Sequence, residues 1–211
     1  MGETGLDKAK RLVLASRNPG KLKEYQVLAA GHVLELQLLE GFSALPEFPE
    51  DASTFAENAA GKALYYSKYS DEDVFADDSG LVVPALGGGP GVLSARYAGP
   101  GASSDDRNAK LLNELRGKKG TERGAYFVCV IALARGGRCE AVVSAKADGE
   151  ILEAPRGGGG FGYDPVFFYP ALGKSFAELT ANEKNMHSHR GKAFRRLMEA
   201  LEREAAEPRR R

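Results

Sequence analysis

Residues 75–99 read FADDSGLVVPALGGGPGVLSARYAG: an apolar run enters two adjacent carboxylates, Asp77 and Asp78, followed by a hydroxyl, a glycine, a second apolar run and a Gly/Pro-rich segment. That order predicts strand, acidic strand end, turn, strand and loop. Two readings of the acids stand at this point. Asp, Ser and Gly are turn formers, so residues 77–80 can be punctuation between strands. Carboxylates at a strand end beside a loop are equally well placed to hold a metal ion at the mouth of a cleft, whereas unpaired in mid-strand they would be costly to bury.

Upstream, residues 11–15 (RLVLA) form a short apolar β run, followed by SRNPGK and a helical pattern over 21–30 with Leu22, Tyr25 and Leu28 on one face. A strand–loop–helix junction leaves backbone N–H groups at the positive end of the helix dipole, which suits a phosphate. Arg17, Asn18 and Lys21 offer two cations and an amide there, although GxxxxGK[ST] is absent and an ordinary βα turn fits the same residues. Residues 33–39 alternate as a second strand. The Pro-broken loop 42–51 carries Glu47, Glu50 and Asp51, and Thr54–Glu57 matches a capping box opening a helix to about residue 69. On that helix Asn58 and Lys62 share a face, either towards a cleft or in solvent.

Downstream, residues 103–106 (SSDD) cap a helix to about residue 116, and two β runs, 125–134 and 139–147, flank Gly136-Gly137 as a hairpin. Residues 156–169, RGGGGFGYDPVFFY, place four glycines before aromatics. A flexible surface loop is one reading, but it poorly explains a loop ending in aromatics; the preferred one is a binding loop whose backbone approaches a ligand closely and whose Phe161 or Tyr163 could stack on a base. Residues 179–190, LTANEKNMHSHR, cluster Lys184, His187, His189 and Arg190 ahead of a helix with Ala193, Phe194, Leu197, Met198 and Leu201 as its buried stripe. The two histidines lack a third ligand at a spacing that would define a metal site.

The 211 residues carry 29 Lys plus Arg against 29 Asp plus Glu, so no global field draws the chain to nucleic acid or an anionic membrane. No stretch approaches the roughly 20 apolar residues of a membrane span, and the polar N-terminus has no apolar signal core, so a cytoplasmic protein is expected. Cys129 and Cys139 form no CxxC pair and are expected as buried thiols. Residues 1–10 are expected as a flexible N-terminus, 11–206 as a single two-lobed domain and 207–211 as a basic tail. Alternating β and α signals before residue 116 and a hairpin-rich section after it predict an α/β fold with a mixed sheet, flanking helices and a cleft between lobes.

Six motifs occur in order: SRNPGK, TFAENA, FADDSGL, LGGGPGVLSARY, GGFGYDPVFF and EKNMHSHR. Together, over residues 12–201, they resemble the non-canonical purine nucleoside triphosphate pyrophosphatases, the inosine and xanthosine triphosphate hydrolases. The resemblance implies an elongated two-lobed α/β fold around a long mixed sheet with a central cleft, a homodimer, and Mg²⁺-dependent cleavage of ITP, dITP or XTP to the monophosphate and pyrophosphate. It also implies roles. Ser16, Arg17, Asn18, Pro19, Gly20 and Lys21 would cradle the triphosphate, Asp78 would hold Mg²⁺ and act as general base, and Ser79 would contact substrate. Glu50 would be the second metal carboxylate, with Glu47 near enough to compete. Phe161, Gly162, Tyr163, Asp164, Lys184, His189 and Arg190 would form the base and ribose end. Because strand neighbours face opposite ways, one of Asp77 and Asp78 is expected behind the other unless a turn intervenes. A nucleotide sensor without turnover, or the same chemistry on another nucleotide pool, are the alternatives.

Overall fold

The computed structural model describes residues 10–206, so residues 1–9 of the expected N-terminus and the whole expected basic tail lie outside the described residues. The chain builds β1 (Lys10–Leu14), α1 (Pro19–Ala29), β2 (Leu34–Leu38), α2 (Phe55–Tyr66), β3 (Asp73–Val82) and α3 (Ser104–Glu114). It continues with β4 (Gly124–Arg135), β5 (Arg138–Ile151), β6 (Phe167–Tyr169), β7 (Lys174–Ser175), α4 (Ala181–His187) and α5 (His189–Ala206). The strands form one seven-stranded sheet in the order β2-β1-β3-β4-β5-β6-β7. β1 runs parallel to β2 and β3, and every later pairing is antiparallel, so the sheet is mixed as expected.

The period-two alternation of β3 and β4 divides the apolar residues between two faces. Phe75, Cys129, Ile131 and Leu133 face one way and pack with Tyr25 of α1 and Phe194 and Leu197 of α5. Val74, Ala76, Val130, Ala132 and Ala134 face the other way, against Ala59, Ala63 and Tyr66 of α2. A third cluster gathers Leu81, Phe127, Ala147 and Phe167 with Leu111 and Leu115 at the α3 end of the sheet. Long β4 contributes to all three, and β5 to the first and third.

The expected turn at Asp-Ser-Gly does not form. β3 runs unbroken, with Asp77 opposite Ile131, Asp78 opposite Val130 and Ser79 opposite Cys129. Turn propensity loses here because β4 pairs with the whole segment, and because side chains from both faces meet the two acids. Gly80 belongs to this continuity: a Cβ there would lie 2.4 Å from Ser94 Oγ and 2.5 Å from Gly91 O. Residues 84–96 fold back over the strand as two 3₁₀ turns, and Ser94 Oγ accepts a hydrogen bond from Leu81 N at 2.9 Å.

The hairpin forms where expected, with Gly136 and Gly137 both at positive φ, as a two-residue type I′ turn requires. Cys129 is buried but Cys139 is exposed, correcting the expectation for the second thiol. It sits one residue into β5, before helix α5 covers that strand. The segment 179–190 is a short helix, an extended Ser188 and the start of α5. A Cβ on Gly191 would come 1.7 Å from Asn185 O, so the close turn between α4 and α5 depends on glycine.

Candidate active site

The loops around β3 enclose a cavity of about 300 Å³. Every predicted site residue lines it except Pro19 and Gly20. Gly20 lies directly beneath Phe161, where a Cβ would sit 2.8 Å from the ring, and Pro19 opens α1. Seven cationic side chains line the cavity (Arg17, Lys21, Lys62, Arg96, Arg107, Lys184 and Arg190) against four carboxylates (Glu47, Glu50, Asp78 and Asp164). Asp77 and Glu24 stand directly behind the wall and pair with Lys21, Lys184 and Arg190, so the excess is small but keeps its positive sign.

The start of α1 works differently from the sequence expectation. Asn18 Oδ1 accepts from Gly20 N at 2.9 Å and Lys21 N at 3.2 Å, and Leu22 N bonds Asn18 O, so these amides satisfy the chain's own cap. What the loop turns to the cavity includes the side chains of Ser16, Arg17 and Lys21. Lys21 Nζ lies 3.0 Å from Asp77 Oδ1 and borders the cavity. Arg17 turns towards the acidic loop, donating to Leu45 O at 2.6 Å and lying 3.7 Å from Glu47.

Asp77 and Asp78 face opposite sides of the sheet, as strand geometry dictates. Asp77 is wholly buried between Lys21 and Arg190, whose Nη2 is 3.4 Å from Oδ2. Burial opposes its charge, but Lys21, Arg190 and Lys62 outweigh it and hold the carboxyl well below the usual carboxylate range. Asp78 looks the other way, towards α2, and accepts from Asn58 Nδ2 at 3.0 Å and from Ser79 N at 2.9 Å. Burial raises its pKa, and Lys21, Asn58 and Lys62 only partly offset that. Adjacent aspartates thus have opposite electrostatic settings: one locked as an anion, the other more ready to take a proton.

The Pro-stiffened loop brings Glu50 to this second acid. Glu50 contacts the Lys62 ammonium, and its charge is felt at Asp78. Burial opposes the Lys62 charge, yet Glu50, with Asp77 and Asp78 behind it, keeps its pKa raised. Glu47 is largely exposed and turned to Arg17. Arg96 fixes the acidic loop from the opposite wall, donating to Glu50 O at 2.6 Å. No group of three His, Cys, Asp or Glu side chains converges among the described residues. The donors at hand, Asp78 and Glu50, are all oxygen, a set that suits a hard cation completing its coordination with water and substrate oxygens.

At the far end the glycine loop packs mainly against its own chain. A Cβ on Gly157 would lie 2.6 Å from Ala177 C and O, and one on Gly160 would lie 2.1 Å from Asp164 Oδ2. The close approach positions Asp164, which accepts from Phe161 N at 2.7 Å and meets Lys184. Asn108 Nδ2 holds Gly162 O at 3.1 Å, and Tyr163 OH donates to Ser94 O at 2.9 Å, which ties the loop to the opposite wall. The Phe161 ring has the Lys184 ammonium 4.9 Å and the Arg190 guanidinium 5.6 Å from its centroid.

Lys184 and Arg190 meet through Glu24 of α1, which takes Lys184 on one oxygen and Arg190 on the other. Burial opposes the Glu24 charge, and the two cations overcome it and lower its pKa. Arg190 also donates to Ser79 Oγ at 2.7 Å. His189 stacks flat on Phe127, with centroids 4.6 Å apart. Burial, Arg190 and Lys184 drive its pKa well down, so the imidazole is neutral, and Nδ1 has no partner among the described residues.

Sequence reasoning missed Glu24, Arg96, Arg107 and Asn108, and left Asn58 and Lys62 undecided. Asn58 and Lys62 carried a signal, since their shared helix face holds Ala59 and Ala63 beside it in the core. Glu24, three residues after Lys21 on α1, looked like an ordinary helix carboxylate.

A mixed α/β sheet with a cation-rich cleft, paired carboxylates at one end and an aromatic loop at the other defines a protein built to hold a polyanionic ligand with a flat head group. The chain belongs to the Ham1 family, whose model matches residues 12–200. It is 51% identical over 193 residues to a dITP/XTP pyrophosphatase of Geobacillus kaustophilus, covering 92% of this chain and 95% of that one. It is 50% identical to a dITP/XTP pyrophosphatase of Thermus thermophilus, over 90% and 91% of the two chains. The solved Ham1 protein of Coxiella burnetii matches with a TM-score of 0.82 at 41% identity, covering 92% of this chain and 99% of that one. The fold and the family expected from the six motifs are both confirmed.

Proposed function

We infer that the chain hydrolyses non-canonical purine nucleoside triphosphates, ITP, dITP and XTP among them, to the monophosphate and pyrophosphate in a Mg²⁺-dependent reaction. The observation that carries this reading is Asp78, a buried carboxylate held by Asn58 Nδ2 at 3.0 Å on the wall of a cation-lined cavity that it shares with Glu50 and Lys62. Relatives named dITP/XTP pyrophosphatase at about half identity over nine-tenths of the chain support the substrate class.

Asp78 and Glu50 are the residues that would hold Mg²⁺, which supplies positive charge against the phosphate oxygens when bound. Asp78 accepts the proton of the attacking water. On this reading Lys21 and Lys62, which both border the cavity although paired with Asp77 and Glu50, stabilise the negative charge that grows on departing pyrophosphate. Phe161 offers the base a flat apolar surface, and stacking is indifferent to which purine is present. Lys184 and Arg190 spend their charge on Glu24, Asp164 and Asp77, so the reading of the base edge falls to neutral His189 and the main chain. A buried donor donates to a 6-oxo group and is left unpaired against a 6-amino group, which separates hypoxanthine and xanthine from adenine. Guanine shares the 6-oxo group, so its exclusion rests on the 2-position.

The homodimer and the cytoplasmic setting belong to this proposal. Both are supported by the resemblance; among the described residues no helix is long and apolar enough to cross a membrane. Light scattering on the eluted protein tests the dimer. A panel of nucleoside triphosphates ranked by kcat/KM with Mg²⁺ tests the substrate class: ITP, dITP and XTP should lead ATP, GTP and the pyrimidines by at least tenfold. A flat ranking, or one led by pyrimidines, would overturn it.

A further inference from the structure

Glu50 is claimed by two cations. In this structure the Lys62 ammonium holds its carboxylate, while the proposed function gives the same carboxylate to a divalent metal. Lys62 is buried on α2, one helical turn beyond the Asn58 that binds Asp78, so both residues reach the acid pair from one helix face. Three carboxylates (Glu50, Asp77 and Asp78) act on that one ammonium. Lys62 also borders the cavity, so an ammonium released from Glu50 would face whatever anion the cavity holds.

We propose that Lys62 is an exchange residue: it occupies Glu50 until a divalent cation displaces it, and the freed ammonium then binds the triphosphate, so that metal and nucleotide bind cooperatively. This rests on the metal reading of Asp78 and Glu50. Competition for Glu50 makes the cation alone bind weakly. A triphosphate removes the competitor by giving Lys62 another anion, and by linkage the metal raises nucleotide affinity by the same factor. Free metal is thereby kept from loading the site without substrate.

The test uses Mn²⁺ alone, titrated into the purified chain and followed by electron paramagnetic resonance. Lys62→Met should bind Mn²⁺ about tenfold more tightly than wild type, within the ordinary range of coupling factors. Lys62→Arg, which keeps a cation on Glu50, should stay near wild type, and thermal melting of each variant checks the fold. Lys21→Met controls for the general field, because Lys21 acts on Asp78 without touching Glu50; its gain should be smaller. With saturating Mn²⁺ and a non-hydrolysable inosine triphosphate analogue, Lys62→Met should lose at least tenfold in nucleotide affinity. Mn²⁺ binding to Lys62→Met no tighter than to wild type, including none to either, overturns the exchange, as does an equal gain in Lys21→Met. Asp78→Asn separates the two readings: if it leaves Mn²⁺ binding intact, the metal site itself is misplaced, whereas if it abolishes binding while Lys62→Met changes nothing, only the exchange fails.

Discussion

Replacing Asp77 and Asp78 in turn by asparagine should produce opposite phenotypes from neighbouring positions. Asp77 is fully buried, and the side chains of its partners Lys21 and Arg190 are 12% and 2% exposed. At 3.0 and 3.4 Å each pair attracts by about 5 kcal/mol at an effective dielectric constant of about 20, against desolvation of several kcal/mol per ion. Asp77→Asn removes the anion and leaves two cations confined, a change that costs about 3–5 kcal/mol where buried pairs have been broken. That is a large part of the roughly 5–15 kcal/mol that holds a domain together. The penalty has a pH signature. Because the folded-state pKa of Asp77 is depressed, its contribution is present above the unfolded aspartate pKa of about 3.9 and fades as pH falls below it, so the gap between wild type and variant should narrow from pH 5 to pH 3. Asp78 has the reverse sign: its raised pKa means that ionisation weakens the fold as pH rises through that value. Asp78→Asn should therefore unfold at the same or slightly higher urea concentration while catalysis collapses. Urea titrations at pH 7, 5 and 3 read both. Equal stability for Asp77→Asn and wild type, or a loss above 3 kcal/mol for Asp78→Asn, would refute the division of roles.

Three further outcomes follow from the same geometry. The acid limb of kcat/KM should titrate above the ordinary aspartate value, because Asp78 must be ionised to accept a proton and its pKa is raised; rates measured from pH 4 to 9 give the midpoint. Gly160→Ala forces a Cβ into Asp164 Oδ2 at a backbone with φ +70°, so KM should rise at least tenfold with a smaller change in kcat, read from saturation curves with ITP. Glu24→Gln frees Lys184 and Arg190 from their shared carboxylate and should lower kcat/KM by ten- to a hundredfold with loss of preference for ITP over ATP, whereas an unchanged preference would mean that Glu24 only supports the fold.

The strands and helices were largely legible because their signals are local. The capping residues Thr54 and Ser103 stand where the sequence puts them, and Gly136-Gly137 turns the hairpin. The alternation of acids across a strand was also legible: it put one aspartate behind the other, while the choice of Asp78 as the acid facing the metal came from the family resemblance. What misled was also local. Asp-Ser-Gly reads as a turn, and only the pairing with β4 and the distant Lys21 and Arg190 show why it stays extended. The glycines of 157–160 suggested a surface offered to a ligand, yet Gly157, Gly159 and Gly160 are spent against residues 164 and 177. Lys184 and Arg190 looked free because their partner Glu24 lies 160 and 166 residues away. Charge pairing across such separations leaves no local pattern, so the sequence named the cations without showing what they bind.

The most direct measurement is the identity of the product. Purified chain with Mg²⁺ and ITP or XTP should release one pyrophosphate per monophosphate formed, and Asp78→Asn, folded and assayed at saturating nucleotide, should release it at least a thousandfold more slowly. Orthophosphate in place of pyrophosphate, or an Asp78→Asn rate close to wild type, would contradict the account.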